Sequence, residues 1–178
     1  MKQLLLLLSI ILFSQCEYSI DLDLTPVSAL APIYVKLEVG DVVSENVRET
    51  TNIGQIVFYK SYILILESNT GIHVIDNEDV LIPAYINFLN LPGLTSFHVK
   101  DDSIIALFAN HIINISIIDI QNSMITAILE LEPSPNGTGN HPNDQNYSGK
   151  FECVDLSKGI VTGWEMKNII DPRCSIFN

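Results

Sequence analysis

The sequence predicts an all-β protein: two four-stranded units resembling propeller blades, forming an incomplete propeller, and a short disulfide-tied β segment after them. Four observations lead there. Short runs rich in Ile, Val, Tyr and Phe follow one another from Ile53 to about Glu132. Turn formers such as SNTG (68–71), DNED (76–79), LPG (91–93) and KDD (100–102) separate them. The stretch GIHVIDN at 71–77 is echoed by NISIIDI at 114–120, so that Ile72, Val74, Ile75 and Asp76 precede Ile115, Ile117, Ile118 and Asp119 by 43 positions each. Finally, Cys153 and Cys174 stand 21 positions apart near the end of the chain.

In chain order, residues 1–15 read as a signal peptide. Lys2 precedes a ten-residue run from Leu4 to Phe13 that is apolar except for Ser9. About twenty are needed to span the hydrocarbon core, whereas ten suit the apolar region of an export signal. Phe13-Ser14-Gln15-Cys16 then places a cysteine where a lipoprotein signal carries its acylated residue, and the segment resembles a bacterial lipoprotein signal in that respect. Phe13 and Gln15 depart from the usual box. Cys16 is therefore the expected lipidation site, and several acyl chains there would hold the protein to a membrane. Residues 16–32, with their acidic side chains and two prolines, read as a tether.

The span 33–132 reads as the β region. IYVKLEV alternates, and 41–52 is polar enough for a loop or a turn of helix. IVFY, SYILIL, IHVID and YINFLN then make one unit over about 53–91. FHVK, IIALF, ISIID and AILELE make a second over about 95–132. A period of about 43 residues with four strands has the size of a propeller blade. The shared Asp is expected to begin the turn between the third and fourth strands, where its side chain can accept from the amide two residues ahead. His73 is expected to face outward into solvent, opposite Ile72 and Val74.

Residues 133–149, PSPNGTGNHPNDQNYSG, have loop composition and are expected to be mobile. Asn136, His141, Asn143, Asp144 and Tyr147 there offer a polar edge, but a single carboxylate is too little for calcium. Residues 150–178 form the last segment, with FECVD and GIVTGW as candidate strands and Trp164 as a core aromatic. Two thiols in an exported chain favour a disulfide, Cys153–Cys174.

These residues also carry a family resemblance. IGQIVFYKSYILILESNTGIHVIDN and NISIIDI resemble LVIVD repeats, which occur in β-propeller-like surface proteins. The series GIHVIDN, INFLNLPG and FECVDLSKGIVTGWE resembles the amino-terminal part of bacterial lipoproteins that carry such repeats. The resemblance implies a cell-surface propeller with no established activity. Relatives of that kind are longer, whereas two copies are legible here and propellers close with four to eight blades.

Charge and motifs narrow the function. The chain carries 21 acidic residues against 9 basic ones, for a net charge of −12. It has no basic cluster, which excludes nucleic acid as a partner. The four histidines, His73, His98, His111 and His141, have no metal-ligand spacing, and no nucleophile elbow or phosphate loop follows a strand. No catalytic residue, metal or cofactor is assigned. The expectation is an exported, lipid-anchored binding module in the cell envelope, at the outer membrane or surface of a Gram-negative bacterium. It would meet a membrane through Cys16 and a protein or glycan partner elsewhere. Two alternatives stand beside it. One is a glycan-active hydrolase using loop carboxylates among Asp76, Asp79, Asp101 and Asp102; the other is a fragment of a longer propeller lipoprotein.

Overall fold

The computed structural model describes residues 25–131, 142, 147 and 149–175. The signal segment and Cys16 lie outside the described residues, as do most of 133–149. Eleven strands are described: β1 (Pro26–Val35), β2 (Ser44–Glu45), β3 (Ile53–Tyr59), β4 (Tyr62–Glu67), β5 (Gly71–Asp76), β6 (Ala84–Asn90), β7 (Leu94–Lys100), β8 (Ser103–Phe108), β9 (His111–Ser116), β10 (Met124–Glu130) and β11 (Ile160–Ile170). The β3–β6 and β7–β10 meanders are the two expected units, each an antiparallel sheet, and no sheet is closed.

Alternation decides which side chains go inside. Leu64 and Leu66 on β4, Ile72 and Val74 on β5, and Leu89 on β6 share one face of the first sheet. Phe97, Ile104, Ala106, Phe108, Ile113 and Ile115 share one face of the second. These two faces meet in a single hydrophobic cluster. Burying a side chain of this size stabilises the fold by about 1.5–3 kcal/mol, which is why the period-2 pattern holds the register.

The sheets stack face to back. Tyr59 and Tyr62 flank the two-residue turn of the first hairpin, and Lys100 and Ser103 flank the matching turn of the second. Residues at that position exchange both hydrogen bonds, and L-chirality puts their side chains on the same geometric face of every such hairpin. The tyrosine pair faces the shared core, while Lys100 is exposed and Phe97 and Ile104, of opposite parity, are the buried residues. The first sheet therefore offers one face and the second sheet its other face. Neighbouring propeller blades pack in the same sense; two sheets related by a two-fold axis do not.

The echo ends as expected. Asp76 Oδ1 accepts from the Glu78 amide at 2.9 Å, and Asp119 Oδ1 from the Gln121 amide at 3.1 Å, each between a third and a fourth strand.

Three expectations need correction. The tether over 16–32 is strand from Pro26 onward: β1 pairs with β11 along its whole length, from Pro26↔Ile170 to Val35↔Ile160. Alternation hid it, because two prolines and acidic neighbours dominate the composition there. The polar stretch 41–52 supplies β2, which pairs with β6 through Ser44↔Leu89 and makes the first sheet five-stranded. Just before it, the Gly40 amide donates to the Ile125 carbonyl and the Val43 amide to the Ser123 carbonyl, so one segment clasps both sheets. Of the candidate terminal strands, GIVTGW lies within β11 except for Gly159, but FECVD contributes only bridges from Phe151 to Leu30 and Cys174.

The Cys153–Cys174 disulfide is present. It closes a loop that contains β11, tying the late segment onto itself, while the pairing of β11 with β1 joins that segment to the distant Pro26–Val35 strand. Half-buried Trp164 packs edge-on against buried Phe151, with ring centroids 5.3 Å apart. The Tyr147 hydroxyl donates to the Lys150 carbonyl at 2.5 Å and accepts from the Leu30 amide at 3.3 Å, so this loop residue serves the ribbon. Among the described residues no helix is long and apolar enough to cross a membrane.

Candidate functional site

The turns of the two units gather at opposite ends. At one end the β1–β11 ribbon closes over the connections. A Cβ at Gly93 would meet Thr162 of β11 at 2.7 Å, and Ile160 packs on the core. The other end is free of the ribbon. There the β3–β4 and β7–β8 hairpin tips lie beside the β5–β6 and β9–β10 loops. The Asn77 amide donates to the Ser61 carbonyl at 2.7 Å, and the Ile117 amide to the Asp102 carbonyl at 2.9 Å.

A charged cluster joins the units on this free rim. Lys60 Nζ donates to Asp102 Oδ1 at 2.6 Å, and the Tyr59 hydroxyl donates to the same oxygen. The hydrogen bonds from Lys60 and then Tyr59 hold the Asp102 carboxyl below its ordinary range. The Asp102 contact raises Lys60 in turn, while burial and then Asp102 raise Tyr59. Asp102 thus acts as an ionised acceptor between two hairpins. Asp102 of the KDD turn thereby ties one unit to the other. The groove behind it runs between Tyr59, Ser61 and Tyr62 on one side and Ile117, Asp119 and Gln121 on the other.

Three other loop carboxylates, Asp76, Asp79 and Asp119, bond backbone amides, while Asp101 is exposed in the β7–β8 turn. Asp76 accepts from Glu78, and Asp79 Oδ1 from the Leu81 amide at 3.0 Å. Asp119 is held low by Asn122 and by the Gln121 amide. Beside them the rim exposes large apolar side chains: Val80 at 71%, Leu81 at 86%, Ile82 at 75% and, in the matching loop of the second unit, Ile118 at 81%.

A second constellation was not legible in the sequence. His73, expected in solvent, is fully buried, and its Nε2 donates to Glu67 Oε2 at 2.6 Å. It does face away from Ile72 and Val74, but that face of the first sheet is covered. Residues 46–52 cross it as a strap. Thr51 Oγ1 donates to Glu67 Oε1 at 2.5 Å, Arg48 Nη2 lies 3.6 Å from the same oxygen, and the guanidinium sits 4.3 Å above the Phe88 ring. Burial pushes the Glu67 carboxyl up, but the Thr51 and His73 hydrogen bonds and the Arg48 charge outweigh it and hold the group below its ordinary range. Both carboxylate oxygens are engaged, and the threonine hydroxyl bonds the carboxylate rather than the imidazole. The arrangement fits a fastening, since no nucleophile is activated. Arg48 and Thr51 on the strap, Glu67 on β4 and His73 on β5 come from three stretches, and only the sheet register brings them together.

The other histidines divide. His98 is exposed on β7; burial lowers His111, against the opposing pull of Glu130; His141 lies outside the described residues. Among the described residues no three His, Cys, Asp or Glu side chains are placed to hold a metal ion. Asn114 Oδ1 accepts from Thr126 Oγ1 at 2.9 Å. Comparison of the chain with known protein families, with curated proteins and with solved structures finds no match.

Proposed function

We propose that the protein is an exported, lipid-anchored module of the cell envelope that binds a protein or glycan partner through its free rim. The observation that carries this reading is the exposure of Val80, Leu81, Ile82 and Ile118 on the rim that the ribbon leaves open. Exposed apolar clusters of this kind mark interaction surfaces. Of the four candidate carboxylates, Asp76 and Asp79 are bound to backbone amides and Asp102 to Lys60 and Tyr59, and Asp101 stands exposed in its turn. That argues for a recognition surface over carboxylates poised for hydrolysis, which need an acid and a base facing one cleft.

Export and anchoring rest on the signal-like segment before Cys16 and agree with a disulfide suited to an oxidising compartment. The LVIVD-like strands support the same placement at the surface. Two experiments test the reading. Cys16→Ser in the full chain should release the protein from membranes or leave it uncut; unchanged retention of a processed chain refutes the anchor. A photo-crosslinking residue at Leu81 should give a discrete adduct on cells, lost when Ile82→Asp and Ile118→Asp are added. An adduct indifferent to those changes, or none, refutes the rim.

A further inference from the structure

We propose that a second copy of this chain pairs with β3 along its free edge, joining two five-stranded sheets into one continuous ten-stranded sheet about a two-fold axis. In the first sheet β3 is an edge strand. Tyr59 and Tyr62 exchange hydrogen bonds across their two-residue turn, and by alternation Val57 and Leu64 do the same. The N–H and C=O groups of Ile56 and Phe58 therefore point away from β4, and they have no hydrogen-bond partner among the described residues. Their side chains stand on the outward face, 52% and 74% exposed.

The other long inner edge is treated differently. On β7 the Phe97 amide is taken by Gln55 Oε1 at 3.4 Å, and the strand carries Lys100 and an exposed His98. Charges and side-chain caps of this kind blunt edges against pairing. β3 has neither. Ile53 to Tyr59 contains no charged residue, and Lys60 beyond it is neutralised by Asp102. Two copies of a chain with net charge −12 repel over most of their surfaces, and this strand is a place where they need not.

The identity of the occupant follows from symmetry. An antiparallel strand paired with its own copy is self-complementary, which suits an isologous contact. The two-fold axis falls at Val57. Ile56 of each copy then exchanges both hydrogen bonds with Phe58 of the other, giving four new bonds. On the outward face each Ile56 meets the other copy's Phe58, an aromatic and β-branched pair of the sort that stabilises sheets. The two Val57 side chains face each other as a non-hydrogen-bonded pair, with Cα atoms about 4.5 Å apart.

That closeness supplies the test. The full chain with Val57→Cys, purified without reductant, is expected to run as a covalent dimer, with linked peptides joined at position 57 in both copies. Adding Phe58→Lys, at a residue exposed enough to leave the fold intact, is expected to abolish the dimer while the melt of the monomer is retained. Absence of a dimer from Val57→Cys overturns the proposal. So does a dimer that persists with Phe58→Lys, and so does a cross-link to a chain of another mass, which would make the edge a site for a foreign strand.

Discussion

The two four-stranded units share a core but dispose of their outward faces in opposite ways. The first carries Ile63, Ile65, Ile75, Tyr85 and Phe88 there, with Glu67 and His73 among them, and the strap over residues 46–52 covers part of it. The second carries Lys100, Ser103, Asn114 and Ser116 on its outward face beside Ile105, Leu107 and Ile112, and no strap crosses it among the described residues. Face-to-back stacking explains why both solutions are needed. Each sheet has one face that meets a neighbour, and the two remaining faces differ in kind, so the first is capped by a strap and the second is finished by a mixed polar and apolar surface. His73 and Ser116 occupy matching positions in the echoed strands. One is buried in a polar fastening, the other lies at a mixed surface.

Substitutions at that matching pair test the contrast most strongly. His73→Ala leaves Glu67 buried against Arg48 and Thr51 with one partner gone, and should cost about 3–5 kcal/mol by urea unfolding. Replacing Cys153 and Cys174 together by Ser should cost roughly 3 kcal/mol through the freed loop, read in the same assay. Acid should act selectively on the first unit's face. Glu67 lies below its ordinary value of 4.5 in the folded state, so the stability it contributes is complete above that value and is lost as pH falls through the lower folded value. Stability measured against pH should therefore fall less steeply below pH 4.5 in Glu67→Gln, from a lower neutral plateau. The smallest effect belongs to Ser116→Ala, expected within about 0.5 kcal/mol of the parent. A loss there comparable to that of His73→Ala would erase the distinction between the two faces.

Short apolar runs between turn formers made the meanders legible. YILILE and SIIALF are almost wholly apolar and six residues long, and the Ile-Asp endings marked the turns that Asp76 and Asp119 form. The echo aligned chemistry better than register. Ile72 and Ile115 share the core, yet they project from opposite geometric faces of their sheets, and Ile75 is buried where Ile118 is exposed. What depended on distant partners could not be read. Pro26–Val35 becomes a strand because β11 lies beside it, more than a hundred positions away. His73 is buried because the strap, joined through Thr51 and Arg48, returns over its face. Of the candidate site, the acidic turns were visible in the text, but the Lys60–Asp102–Tyr59 link between units and the rim's freedom from the ribbon arise from tertiary placement.

The central claim is that both units form one body through a shared face-to-back core. Native-state hydrogen exchange across β4, β5, β8 and β9 tests it directly. The account predicts that the slowest amides of all four strands open with one common free energy, equal to that of global unfolding. A second set, with β8 and β9 opening at a distinctly lower free energy while β4 and β5 remain protected, would contradict it.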